Sequence, residues 1–563
     1  MSSATTTSRA ADWFSAHRAT LDKAREAIRT RAFFSAYFEV PSPKAYGDTA
    51  SADGKAAFDA RLNKPFELDQ PGTTGRIGAE RSPFGMALGV TYPKPDVDAL
   101  LAAATAAIPA WTRASVDERA GVLLEMLARI NAHSFEMAHA VMHTTGQGYM
   151  MAFQAGGPHA QDRALEALTY AYEEMTKIPA RVLWEKPQGK NEPLRIEKTF
   201  RLVGRGIDLT IGCSTFPTWN SYPGIFASLA TGNAVIVKPH PQAILPLAIS
   251  VELMRATLRD AGFDPNLVQL AVDSSAAPIA KTLIERPEIA MVDYTGGSAF
   301  GNWVEKNAHG PTYTEKAGVN SIVIESTANF KGMLRNIAMS VSLYSGQMCT
   351  TPQNIFVPRG GIQADGAHVS FDDVVGALVG AIDALLSAPE RAFELLGAIA
   401  TQPTLDRVDA ENGEAGVVLA SKSLTHPDFP DARVRTPLVA KLDINDTDRF
   451  GREMFGPIVY VIATDDVDQA LKVASEEART HGAITAIVHS TDPAVLAKAE
   501  EAAAYGRVSL GENLTGALMI NQSSAFSDYH VTGGNPAGNA SLTDAAFVAN
   551  RFRVIETRSP ATA

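Results

Sequence analysis

Cysteine is scarce in this chain: Cys213 and Cys349 are the two among 563 residues. They form no CxxC motif and no framework of several disulfides, which excludes the small disulfide-stabilised secreted class. The first residues lack the apolar segment of a secretory signal, and no apolar run is long enough to span a membrane. These absences predict a protein of the reducing cytosol.

Blocks of basic residues are absent as well. The formal net charge is −12, from 50 basic and 62 acidic residues. A chain of this charge is not expected to bind nucleic acid. Hydrophobic residues make up 45% of the chain and charged residues 20%, as in ordinary globular enzymes. The length exceeds what one hydrophobic core normally holds, so two or three domains are expected.

Strand and helix patterns alternate between residues 205 and 313 and again between 330 and 484. This alternation predicts parallel, doubly wound sheets, in which ligands bind beyond the carboxyl ends of the strands. Asn220 follows the first apolar segment, Lys238 ends the second, and residues 294–297 end the fourth. Cys213 also ends an apolar segment, where a packing role in the core is expected.

Cys349 has polar neighbours in the sequence YSGQMCTTPQNIFVP, and an apolar run typical of a strand follows it. A thiol in a polar cleft can act as a nucleophile if its pKa is lowered and the oxyanion it creates is stabilised. An inert, half-buried thiol is the alternative. His139 and His143 share a helix face, but the H-E-x-x-H frame of a zinc site is missing, so no metal is predicted.

Six motifs, in order, resemble those of the aldehyde dehydrogenase superfamily from about Asp96 onward. FPTWNSYP resembles P-W-N-F-P, KPH resembles K-P-S, and YTGGSAFG resembles F-T-G-S-x-x-x-G. Glu315 takes the place of the glutamate in E-L-G-G-K, GQMCT resembles G-Q-x-C, and EMFGP resembles E-x-F-G-P.

The resemblance implies a role for each matched residue. Cys349 is expected to be the nucleophile, Asn220 an oxyanion donor, and Glu315 the base that hydrolyses a thioester. Relatives that pass the acyl group to coenzyme A commonly lack this glutamate, so a free acid is the expected product. The residues expected to bind NAD or NADP are Trp219, Lys238, His240, Thr295, Gly296, Gly297, Gly301, Glu453 and Phe455.

The implied fold is α/β and aldehyde dehydrogenase-like, with a Rossmann-type cofactor domain, an α/β catalytic domain and a small β oligomerisation hairpin. An N-terminal extension is expected at 1–75 and the cofactor domain at 76–180 and 205–313. Bridging segments are expected at 181–204 and 540–563, and the catalytic domain at 314–539. The exposed edge of the hairpin predicts a homodimer or homotetramer.

More narrowly, the chain is similar to the PaaN group of phenylacetic acid degradation proteins. SPFGMALGVTYP, the Glu-x-Ala-Gly-x-Asn segment at Glu315 and DYHVTGGNPAGN carry this resemblance. It implies a ring-cleavage semialdehyde from phenylacetate breakdown as substrate, with attachment to coenzyme A left open. A coenzyme A-acylating enzyme and a non-catalytic relative that keeps the fold are the alternatives.

The expected cofactor preference depends on one departure from the family motif. NAD-preferring relatives have a glutamate three residues after the K-P-S lysine, and this chain has Pro241 there. Proline can neither bind the ribose hydroxyls nor repel a 2′-phosphate, so NADP is favoured over NAD. Asp273 could take over the ribose contact and restore a preference for NAD.

Overall fold

The N-terminal part of the chain is mostly helical in a computed structural model that describes residues 8–516, 526, 533–539 and 543–561. Helix α5 begins at a capping box that Ser115 and Glu118 form. Helix α1 crosses α5 closely, because a Cβ on Gly121 would lie 2.3 Å from the Ala10 carbonyl oxygen. The elements are α1 (Arg9–Thr30), α2 (Pro43–Tyr46), α3 (Ala50–Arg61), β1 (Thr73–Ile77), β2 (Tyr92–Pro95), α4 (Val97–Arg113), α5 (Val116–Ala132), α6 (Ser134–Thr145), α7 (Tyr149–Gly156) and α8 (Pro158–Thr176).

A five-stranded parallel sheet follows, in the order β7-β6-β5-β8-β9. Every residue of β5 and β6 is buried, as expected for a parallel sheet covered by helices on both faces. The elements are β3 (Arg181–Gln188), β4 (Asn191–Gly204), β5 (Ile207–Ile211), α9 (Pro217–Ala230), β6 (Ala234–Lys238), α10 (Leu245–Asp260), β7 (Val268–Leu270), α11 (Ala280–Ile284), β8 (Ile289–Thr295), α12 (Ser298–Asn307) and β9 (Thr312–Glu315).

A seven-stranded sheet in the order β15-β18-β19-β12-β10-β20-β21 forms the second α/β unit. Its neighbouring strands are parallel except for the pair β15–β18. The five-stranded parallel sheet and the largely parallel seven-stranded sheet confirm the predicted fold class. The elements are β10 (Ser321–Ile324), β11 (Ser326–Thr327), α13 (Phe330–Ser342), β12 (Asn354–Pro358), β13 (Ile362–Ala364), β14 (Ala367–Val369), α14 (Phe371–Leu385), α15 (Pro389–Leu396), α16 (Gln402–Asn412), β15 (Val417–Leu419), β16 (Ser423–Leu424), β17 (Val434–Arg435), β18 (Leu438–Asp443), α17 (Thr447–Phe450), β19 (Ile458–Thr464), α18 (Val467–His481), β20 (Thr485–His489), α19 (Pro493–Gly506), β21 (Ser509–Glu512), α20 (Ala545–Ala549) and β22 (Phe552–Pro560).

Strands β3 and β4 form an antiparallel hairpin, and β22 pairs with the other edge of β4 from Phe552–Gly204 to Pro560–Ile196. Part of the predicted bridging range 540–563 and part of the loop DYHVTGGNPAGN lie outside the described residues. Within the described ranges, no helix is long and apolar enough to cross a membrane.

Candidate active site

Cys349 follows a turn in which three consecutive residues have positive φ angles: Tyr344 at 52°, Ser345 at 48° and Gly346 at 64°. Left-handed backbone is uncommon for residues with a side chain and persists where the surroundings hold it. Tyr344 Oη donates to the Thr145 carbonyl oxygen at 2.5 Å. A Cβ on Gly346 would lie 2.4 Å from the Gly456 carbonyl oxygen, so only glycine fits this position.

Two side-chain amides hold the backbone around Cys349. Asn320 Nδ2 donates to the Cys349 carbonyl oxygen at 2.7 Å, while its Oδ1 accepts from the Ile484 backbone at 2.9 Å. Gln347 Nε2 donates to the Ala398 carbonyl oxygen at 3.1 Å. The thiol is therefore presented by a backbone that is fixed from both sides.

Glu315 and Cys349 meet between the two sheets. Glu315 is the last residue of β9 and is buried, with 5% of its surface exposed. The Cys349 thiol hydrogen-bonds to the Glu315 carboxylate. Burial first, and then the negative charge of Glu315, raise the pKa of the thiol well above its usual value.

Asn220 lies on the first turn of α9, and its Nδ2 donates to the Cys213 sulfur at 3.4 Å. The Phe216 backbone N–H also donates to this sulfur, at 3.4 Å. The Cys213 side chain packs against the core, as the sequence predicted, and its sulfur also accepts these two hydrogen bonds. Cys213 is half-buried at the edge of the core, because the chain turns from β5 toward α9 and brings its thiol under the Asn220 amide.

Arg163 is a buried cation in this region that sequence reasoning missed. It is 6% exposed, and its guanidinium carbon lies 3.4 Å from the centroid of the Trp219 ring. Its positive charge acts to lower the pKa of the Cys349 thiol. A single arginine in the middle of a helix gives no sequence signal of this placement.

The edge of the five-stranded sheet carries Lys238 at the end of β6. Its Nζ lies 2.7 Å from Asp273 Oδ1, and the two side chains are almost fully buried. His240 is half-buried, and burial together with the charge of Lys238 lowers its pKa to about 4. An ammonium donor beside a carboxylate acceptor is a suitable set for a ribose diol, so this edge fits the sugar of a dinucleotide.

The segment after β8 supplies backbone toward the same edge. Thr295 pairs in register with Glu315, and the Gly296 N–H donates to the Glu315 carbonyl oxygen at 3.0 Å. Gly297 caps α12, and a Cβ there would meet nothing within 4 Å, which leaves room for a ligand. Packing favours glycine at Gly301, since a Cβ there would lie 2.6 Å from the Lys316 side chain.

Glu453 and Phe455 approach from the loop before β19. Gly318 N–H donates to Glu453 Oε1 at 3.4 Å, and burial raises the pKa of Glu453 to about 7. The negative charge of Glu315 also raises this pKa. The Phe455 carbonyl oxygen accepts from Arg407 Nη1 at 2.6 Å. The structure thus brings Glu453 within electrostatic reach of Glu315.

His139 and His143 both stack against Phe58, with ring centroids 5.7 and 5.2 Å away. In the part of the chain that the structure describes, no group of three or more His, Cys, Asp or Glu could hold a metal ion. The two histidines are explained by packing.

Comparison with known proteins identifies the family of this site. The model of the aldehyde dehydrogenase family matches residues 90–527. The chain belongs to the aldehyde dehydrogenase family. The crystal structure of an NAD-dependent aldehyde dehydrogenase from Burkholderia multivorans is 55% identical over 98% of this chain and 99% of that chain, with a TM-score of 0.96.

More distant relatives share the aldehyde dehydrogenase fold. An N-succinylglutamate 5-semialdehyde dehydrogenase from Paraburkholderia xenovorans (strain LB400) is 27% identical over 72% of this chain and 79% of the relative. A 1-pyrroline-5-carboxylate dehydrogenase structure is 19% identical over 94% of this chain and 99% of that chain, with a TM-score of 0.73. This aldehyde dehydrogenase is an oxidoreductase that acts on aldehydes with NAD or NADP as acceptor. None of these three relatives is named for phenylacetate degradation, so that narrower resemblance stays a prediction.

Proposed function

We propose that this aldehyde dehydrogenase converts a semialdehyde into its free carboxylic acid, with Cys349 as nucleophile and Glu315 as the hydrolytic base. The hydrogen bond between the Cys349 thiol and the Glu315 carboxylate carries the proposal. It supports a site in which the carboxylate lies beside the sulfur that would hold the acyl group. A base in that position can reach water attacking the thioester carbon.

In the proposed reaction, the Cys349 thiol gives up its proton to solvent water, and the resulting thiolate attacks the aldehyde carbon. The Asn220 amide and the Cys349 backbone N–H are the proposed donors to the developing oxyanion. Bound NAD or NADP would accept the hydride that leaves the former aldehyde carbon, and a thioester with Cys349 would remain. Glu315 then takes a proton from water, the water oxygen attacks the thioester carbon, and the thiolate leaves as the acid forms.

The Glu315→Gln variant tests the hydrolytic role. We expect a pre-steady-state burst of reduced cofactor at near wild-type amplitude, followed by a steady state slowed about 100-fold, a typical loss for a general base. Loss of the burst would instead assign Glu315 to removal of the thiol proton. Glu512→Gln, at an exposed position on β21, is the charge-matched control and should leave both phases unchanged.

The product separates this proposal from coenzyme A acylation. Mass spectrometry of the reaction mixture should find the free acid, and added coenzyme A should not raise the steady-state rate. An acyl-coenzyme A product would overturn the assignment. A Cys349→Ala variant should lose the burst and the turnover while its cofactor affinity stays within a few-fold; retained turnover would favour a different nucleophile.

Arg163 supports a substrate with an anionic group. Its guanidinium is buried and its charge reaches the Cys349 thiol. The relative from Paraburkholderia xenovorans is named for N-succinylglutamate 5-semialdehyde, which carries carboxylates. We favour a ring-cleavage semialdehyde of phenylacetate catabolism, in free form or linked to coenzyme A, on the narrower sequence resemblance. Turnover of this semialdehyde, N-succinylglutamate 5-semialdehyde and a short neutral aldehyde would rank the candidates.

A homodimer or homotetramer is the proposed assembly. The three-stranded sheet of β22, β4 and β3 exposes large apolar side chains: Leu183, Trp184, Leu194, Val554 and Ile555. A partner that covers this sheet would remove apolar surface from water. Light scattering should give the mass of two or four chains, whereas a monomeric mass would contradict the assembly. Location in the cytosol stays a prediction.

A further inference from the structure

Lys238 and Asp273 form a buried ion pair where two neighbouring parallel strands end. Lys238 Nζ lies 2.7 Å from Asp273 Oδ1, and the side chains are 7% and 1% exposed. Lys238 is the last residue of β6, and Asp273 lies just beyond the end of β7. Because β6 and β7 pair in parallel, both residues reach the same edge of the sheet.

Other contacts hold both members of this pair. Asp273 Oδ2 accepts from the Ile279 backbone N–H at 3.0 Å, and its loop is closed by a bridge between Ser274 and Ala277. Lys238 Nζ also donates to the Pro239 carbonyl oxygen at 3.3 Å. The carboxylate is therefore positioned before any ligand binds.

The strand order gives this edge a function. Taking β5 as the first strand, the order β7-β6-β5-β8-β9 is that of a dinucleotide-binding sheet. In such sheets an acidic residue near the end of the second strand hydrogen-bonds the 2′-hydroxyl of the adenosine ribose, and a cation there accommodates a 2′-phosphate. Here the second strand, β6, ends in Lys238, and Pro241 stands where an acidic residue is expected. A carboxylate is supplied instead by Asp273, which lies just beyond the end of the third strand, β7.

We propose that Asp273 makes this enzyme select NAD over NADP. The proposal rests on the proposed position of the adenosine ribose beside Lys238. A 2′-phosphate placed there would meet the Asp273 carboxylate, and like charges repel. Lys238 offers little compensation, because its ammonium is already paired with that carboxylate. Asp273 instead accepts a hydrogen bond from a free 2′-hydroxyl.

This assignment reverses the preference for NADP that the sequence favoured. That prediction depended on the absence of a carboxylate at Pro241. His240 adds no positive charge near pH 7, because burial and Lys238 depress the pKa of its ring. Its Nδ1 accepts from the Gln242 backbone at 3.2 Å, so the neutral ring carries its proton on Nε2.

The Asp273→Asn variant tests the proposal because asparagine keeps the shape and an acceptor oxygen while it removes the charge. Quenching of protein fluorescence, without aldehyde, gives the Kd of each cofactor. We expect the wild-type Kd for NAD to be at least about tenfold below that for NADP. In Asp273→Asn the Kd for NADP should fall about tenfold or more and that for NAD should change by less than about threefold.

Glu285→Gln is the control, since it removes one negative charge from an exposed position of the same unit. It should leave the ratio of the Kd for NADP to the Kd for NAD unchanged. If this Kd ratio in Asp273→Asn stays within about twofold of the wild-type ratio, the proposal is overturned. Wild-type affinities that are equal, or no binding of either cofactor, also overturn it. A clear NAD preference in a protein that oxidises no semialdehyde would count against the proposed function alone.

Discussion

The Asn220 amide nitrogen donates to the Cys213 sulfur at 3.4 Å. Asn220 is the proposed oxyanion donor, and its amide has two N–H groups. One of them donates to Cys213, and the second is the proposed donor to the substrate oxygen. We infer that Cys213 positions Asn220, because this contact links the end of β5 to the first turn of α9.

Cys213→Ala should lower kcat a few-fold with little change in KM, because a sulfur atom is a weak acceptor and its loss loosens the amide without removing it. Asn220→Ala should lower kcat about 100-fold or more, since it removes an oxyanion donor. Steady-state kinetics of the double variant provide the check. If Cys213 acts through Asn220, the cysteine substitution should have no further effect in the Asn220→Ala background, whereas additive losses would indicate a separate role.

A second prediction concerns the reactivity of the Cys349 thiol in the free protein. Burial and the Glu315 carboxylate raise the pKa of this thiol, so it is mostly protonated at neutral pH. Its alkylation by iodoacetamide should accelerate as pH rises above 8, with a midpoint above that of an ordinary cysteine.

Glu315→Gln should shift this alkylation profile to lower pH. A negative charge beside the sulfur disfavours the thiolate, so removal of that charge lowers the pKa. The variant should therefore be alkylated faster than wild type at pH 7.5. Slower alkylation would show that Glu315 activates the thiol in the free protein. The same measurement on Cys349→Ala gives the background alkylation of Cys213.

Local sequence patterns predicted the features of the fold that depend on interactions between neighbouring residues. The strand that ends at Lys238 is where the sequence places it. The alternation of strands and helices was sufficient for the fold class, because parallel sheets impose that order on the chain. The six motifs in their order along the chain were sufficient for the family.

Contacts between distant parts of the chain could not be predicted in the same way. Arg163 stacks on Trp219 across 56 positions of sequence, and Asp273 meets Lys238 across 35. Neither pair has a characteristic spacing, since the contact depends on how helices and strand ends pack. The contact of Cys213 with Asn220 has the same origin, because the turn that brings the two side chains together follows from packing of α9.

A third prediction concerns Arg163 and the charge of the substrate. Arg163→Met should raise KM about tenfold or more for succinate semialdehyde and by less than about threefold for butanal, which has the same carbon number without the carboxylate. The neutral aldehyde is the control for damage to the thiol or to Trp219. Equal increases in KM for both aldehydes would show that Arg163 supports Trp219 or the thiolate and does not bind the substrate carboxylate.

The last prediction concerns a buried charge cluster that joins the C-terminal strand to the five-stranded sheet. Arg551 is fully buried, and its Nη1 and Nη2 lie 2.6 and 2.7 Å from the two oxygens of Asp293. The guanidinium also packs 3.9 Å from the Tyr313 ring centroid, two residues before Glu315. Asp208 lies beside this pair, and burial and the charge of Asp293 raise its pKa well above the usual value.

Arg551→Met should lower the free energy of unfolding by about 3–5 kcal/mol, because it leaves the Asp293 carboxylate buried without its counter-charge. Urea denaturation followed by circular dichroism gives the measurement. Arg553→Met, two residues later at an exposed position, is the matched control and should change stability by less than about 0.5 kcal/mol. Adding Asp293→Asn to Arg551→Met should recover part of the loss, since the uncompensated charge is then gone. A double variant no more stable than Arg551→Met would show that the cost arises from lost packing against Tyr313, not from the charge.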